Sequence, residues 1–151
     1  MNLTTLNPRE MEYMPNDKLA VAYQRLHNLL AIANTKALSE ESRQEINAKI
    51  HELNTSTKIN GAFLSLVELT QSEIIEIIEK DSKVVPAGHY TKRWTAIGMT
   101  AIGIPIGLVI GLLIDNIALL AVGIPIGFGI GIFIGKLMDN KAAEEGRQYS
   151  L

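Results

Sequence analysis

The sequence predicts an all-α protein in two parts, a small helical bundle followed by a two-helix transmembrane hairpin. Three observations predict it. Charge is divided sharply along the chain: residues 1–94 hold 11 Lys/Arg and 12 Asp/Glu, whereas residues 94–135 hold one charge, Asp115. The uncharged region is nearly duplicated: IGIPIGLVIGLLI at 102–114 is followed by VGIPIGFGIGIFI at 122–134. The polar part shows apolar residues at spacings of three and four, the repeat of one helix face.

The elements follow in order. Residues 1–15, with Pro8 and Pro15 as breakers, read as a flexible arm. Residues 16–82 read as a cytoplasmic helical domain. Asn16 or Asp17 can cap a first helix whose face carries Leu19, Ala22, Tyr23, Leu26, Leu29, Leu30 and Ala33. Ser39 followed by Glu40 and Glu41 opens a second helix, since acidic residues suit the positive end of the helix dipole. Ile46, Ile50 and Leu53 give it a thin stripe. A third helix starts near Lys58 with Ile59, Phe63, Leu66 and Val67 on one side. Thr70-Gln71-Ser72-Glu73 fits a capping box ahead of Ile74, Ile77 and Ile78, which leaves one kinked helix or two as alternatives. Residues 83–94 read as a linker and interfacial segment punctuated by Pro86 and Gly88.

The hairpin occupies 95–135. The spans 95–114 and 117–135 are each long enough, at 1.5 Å per residue, to cross a hydrocarbon core of about 30 Å. A turn at Asp115-Asn116 places the carboxylate at the far surface. At the bilayer centre it would cost roughly 2.5–3.5 kcal/mol. Lys92 and Arg93 precede the first span, and Lys136 and Lys141 follow the second. The excess of basic residues at these ends predicts that both termini are cytoplasmic, with 136–151 as a cytoplasmic tail. Lys92, Arg93, Trp94 and Lys136 are the expected interfacial anchors. Pro105 and Pro125 occupy equivalent places and predict a bend in each span.

Glycines recur every fourth residue: Gly103, Gly107 and Gly111 in one span, Gly123, Gly127, Gly131 and Gly135 in the other. Such stripes let helix backbones approach where lipid supplies no hydrophobic drive. Two stripes allow one to serve the internal pair and the other a neighbouring copy, so a homo-oligomer is expected. The pattern G-I-P-I-G-x-x-I-G, the Asp-Asn turn, the second stripe and the K-x-x-x-x-G-R tail from Lys141 to Arg147 resemble the small bacterial glycine-zipper membrane proteins. The resemblance covers about the last third of the chain and implies a bacterial inner-membrane location.

Other chemistry finds little support. The chain has no cysteine, which excludes disulfides and thiolate chemistry. The segment MNLTTLNPREMEYMPND lacks a basic region followed by an apolar one, so targeting is expected from the apolar spans. His27, His51 and His89 form no metal-binding spacing. Glu73, Glu76 and Glu79 read as a solvated face. No phosphate loop or basic aromatic patch points to nucleotide or nucleic acid. GIGIFIG lacks the polar alternates of a membrane β-strand. No catalytic residue, cofactor or metal is expected. The expected role is a non-enzymatic, membrane-anchored scaffold or assembly module with the lipid bilayer as partner. An unidentified protein could bind the N-terminal helices. The alternatives are an oligomeric pore and an accessory subunit of a larger membrane complex.

Overall fold

The computed structural model describes residues 3–7 and 17–150 and divides them into two compact units, 1–85 and 86–150. The helices of the first unit are α1 (Asp17–Thr35), α2 (Glu40–Thr55) and α3 (Asn60–Ser82). α3 packs against both α1 and α2. Its apolar residues recur on more than one face, so Phe63, Val67, Ile74 and Ile78 meet Leu26, Leu29, Ile46, Ile50 and Leu53 in a core whose members are at most 2% exposed. This two-sided packing also settles the third helix. It runs unbroken through Thr70, which is buried within it, so the capping-box pattern there does not start a helix. Tertiary burial outweighs the local capping preference of a threonine.

The start of α2 is held by side chains. The Ser39 hydroxyl accepts the Ser42 N–H at 3.2 Å, while the Asp81 carboxylate accepts the Ser39 N–H at 2.6 Å from the end of α3. That hydrogen bond holds the Asp81 carboxyl below the usual carboxylate range. The end of α3 is closed by Lys83 in the left-handed region, φ 59°.

Residues 3–7 depart from the expected flexible arm. They run without helix, with Leu3 and Leu6 buried. The Thr4 N–H donates to Asn47 Oδ1 at 2.7 Å, and the Asn7 N–H donates to Asn54 Oδ1 at 3.0 Å. Asn54 Nδ2 returns a bond to the Thr5 carbonyl at 3.0 Å. Asn47 and Asn54 are two helical turns apart on α2 and therefore share a face. The rest of the proposed arm, and the cap at Asn16, lie outside the described residues.

The second unit begins beside the two-residue strand β1 (Val85–Pro86), which pairs with β2 (Gln148–Tyr149). The Ala87 N–H donates to the Tyr149 carbonyl at 3.0 Å. Helix then starts at His89, inside the segment expected to be a linker. It continues to Leu113 as α4 (His89–Ile97), a π-helical turn (Gly98–Gly103) and α5 (Ile104–Leu113). A 3-10 turn (Ile117–Leu119) leads into α6 (Leu120–Glu144), which returns antiparallel. α6 thus extends well into the expected tail. Both long helices close in the same way. At the end of α5 the Asn116 N–H donates to the Gly111 carbonyl at 2.9 Å around Asp115, φ 54°. At the end of α6 the Arg147 N–H donates to the Ala142 carbonyl at 2.8 Å around Gly146, φ 65°.

Candidate functional site: a helix pair joined through glycine

Helices α4–α5 and α6 meet backbone to backbone. A Cβ added at Gly103 would lie 2.8 Å from the Gly123 carbonyl oxygen, and one at Gly123 would lie 2.6 Å from the Gly107 Cα. A Cβ at Gly107 would collide with the Leu120 carbonyl. One at Gly127 would lie 2.6 Å from the Gly103 Cα, and one at Gly131 2.9 Å from the Thr95 Cα. One at Gly135 would lie 2.8 Å from the Tyr90 carbonyl oxygen. Gly111, near the turn, is looser, with its nearest neighbour the Asn116 carbonyl oxygen at 3.2 Å. The seven glycines singled out from the sequence therefore all lie on one seam within a single chain. Both stripes face each other within the chain.

An eighth glycine joins them. Gly98 lies five residues before Gly103 and falls outside the four-residue repeat. A Cβ there would lie 2.8 Å from the Gly131 Cα. The π-helical turn spans this five-residue interval. A π turn takes more residues than an α turn and so returns Gly98 to the seam. It also lies just before Pro105, whose ring and missing N–H disrupt regular α-helix. In α6, Pro125 stands inside the helix.

Burial along this pair is inverted relative to a water-soluble core. The buried residues are the eight glycines, Asp139 and Ala142, while Leu112, Ile117, Phe133 and Leu137 are between 55% and 68% exposed. The hydroxyls of Thr95 and Thr100 bond back to their own helix, to the Thr91 carbonyl at 2.7 Å and the Ala96 carbonyl at 3.0 Å. Two helices of this unit, His89–Leu113 and Leu120–Glu144, are long and apolar enough to cross a membrane.

The other residues singled out sort to the two ends. Thr91 abuts Gly135 and Trp94 abuts Gly131, so Lys92, Arg93 and the half-buried Trp94 lie level with the approach to Lys136. Asp115 and Asn116 form the opposite end, where Asn116 Oδ1 accepts the Ala118 N–H at 3.1 Å.

Asp139, which no local sequence pattern marks, is the buried acidic residue of the pair. It is 8% exposed. Gly88, the residue before α4, makes no side-chain cap. From the facing helix, the Asp139 carboxylate accepts the Tyr90 N–H at 3.1 Å, the Thr91 N–H at 2.9 Å and the Thr91 hydroxyl at 2.6 Å. A carboxylate at a helix N-terminus satisfies unbonded N–H groups and complements the helix dipole. Gln148 Nε2 donates to the Asp139 carbonyl at 2.7 Å, tying β2 to the same point.

His27 and His51 are exposed, and His89 is half-buried beside Tyr90 with ring centroids 5.4 Å apart. Glu73 pairs with Lys49 at 3.0 Å. Among the described residues no group of three or more His, Asp or Glu could hold a metal ion. Comparisons with protein-family models, curated proteins and solved structures give no match, so the geometry carries the functional reading.

Proposed function

We propose that this chain is a non-enzymatic, bilayer-anchored module: the helix pair crosses the membrane as a glycine-zipper hairpin, and the N-terminal bundle is its recognition element. The inverted burial of the pair carries this reading. Aliphatic surface left in water forgoes about 25 cal/mol per Å² that transfer into hydrocarbon would supply. Within lipid, close contact of glycine-lined backbones favours association. The basic residues at one end and Asp115 at the other support a hairpin with both ends at the cytoplasmic face of a bacterial inner membrane.

The contacts along the seam bear on assembly. The glycines hold the two helices of one chain together, so self-association would use the outer, bulky faces. The apolar stretch offers only the Thr95 and Thr100 hydroxyls as polar side chains, and both donate to their own helix, which disfavours a polar-lined pore. The test is expression in a bacterium followed by carbonate washing of the membranes. The chain should stay in the pellet, and protease should reach the bundle in inverted vesicles but not in spheroplasts. Recovery in the carbonate supernatant would overturn the anchor, and digestion in spheroplasts would overturn the orientation.

A further inference from the structure

We infer that Lys92, Arg93 and Lys136 form a collar that selects anionic phospholipid headgroups. The inference rests on the bilayer-anchored reading and adds a lipid class to it. Contacts of Gly135 with Thr91 and of Gly131 with Trp94 put the three cations within about one helical turn of a common level. All three are exposed. The acidic residue closest to them in sequence on the pair, Asp139, is buried and bound to the Tyr90 and Thr91 N–H groups and the Thr91 hydroxyl. Hydrogen bonds from neutral donors do not cancel its charge, yet Lys92, Arg93, Lys136 and Asp139 together still carry a formal net charge of +2. Glu144 and Glu145 lie two turns farther along, and Glu145 pairs with Arg147. Exposed Phe133 and Leu137 flank Lys136, so the cations border an apolar surface where headgroup phosphates would sit. The whole chain carries a formal net charge of −2, so a preference for anionic lipid has to arise locally.

Trp94, the single tryptophan, adjoins the collar and reports on it. The purified full chain is reconstituted in phosphatidylcholine vesicles holding equal mole fractions of either brominated phosphatidylglycerol or brominated phosphatidylcholine. Brominated phosphatidylglycerol should quench Trp94 more strongly. One cation near an anionic surface is worth about a fivefold change in partition, so a K92Q/K136Q variant should lose the preference by roughly tenfold or more. Salt at roughly 0.5 M should weaken the wild-type preference. Retained quenching by brominated phosphatidylcholine shows that the variant still inserts. Equal quenching of the wild type by the two lipids, or a preference unchanged in the variant, would sink the collar while leaving the anchor standing. No quenching by either lipid would remove the anchor and the collar together.

Discussion

A methyl group at Gly127 would meet the Gly98 carbonyl oxygen and lie 2.6 Å from the Gly103 Cα, closer than packed carbons come. At Gly129, on the same helix, nothing lies within 4 Å. G127A should therefore force the helices apart at a cost of about 1–3 kcal/mol, while G129A should be neutral or stabilising by up to about 1 kcal/mol. Reversible unfolding of the two variants in bicelles checks the contrast. Equal effects would mean that the seam does not hold the pair. Asp139 makes a second prediction at this scale. D139N keeps the shape but replaces one accepting oxygen with an NH2 group, so Tyr90 and Thr91 should lose amide protection in hydrogen exchange. The loss corresponds to about 1–3 kcal/mol for bonds to a charged acceptor.

At the scale of elements, the π-helical turn sets the register of the first long helix. Its extra residue matches the five-residue interval between Gly98 and Gly103. Deleting Thr100 would make the interval four, which a plain α-helix keeps on one face. The seam and the Asp139 contacts should survive. Inserting an alanine there would turn the preceding segment by about 100° and swing Tyr90 and Thr91 away from Asp139. Amide protection at those two residues distinguishes the outcomes, and equal protection in both variants would contradict the register argument. In the bundle, Asp81 links the end of α3 to the start of α2. Its folded carboxyl titrates below its unfolded value of about 4. Its contribution is thus present above that value and fades as pH falls through the folded one. D81N should flatten the acid limb of the bundle's unfolding curve, and an unchanged limb would show the Ser39 contact to be inconsequential.

At the scale of the whole molecule, the two units present different surfaces. The described residues of the first unit bury Leu, Ile, Val and Phe and expose charge, whereas the helix pair buries glycine and exposes Leu, Ile and Phe. Lys83 is exposed at the end of α3, just before the boundary. Limited trypsin cleavage there, in vesicles that present the bundle outward, should release a soluble helical fragment and leave the apolar pair with the lipid. Retention of both fragments would point to a bundle that itself binds the bilayer.

The sequence by itself determined the helical class, the two-part division, the apolar spans and seven glycines of the seam. These properties lie in composition and short-range period. Leu19, Leu26, Ile46 and Ile50 were legible as core for the same reason. Gly98 was not, because its interval of five becomes part of the seam only once a π turn absorbs the extra residue. Thr70 resembled a cap because local pattern carries no information about burial on both sides of α3. Asp139 and the asparagines that hold residues 3–7 act on groups about 40–50 positions away, a separation that no local pattern encodes. The pairing of the glycine stripes was likewise a tertiary decision. Either stripe could have faced another copy, and the close approach of α4–α5 to α6 placed both against each other, because only there do two glycine-lined backbones reach contact without a side chain between them.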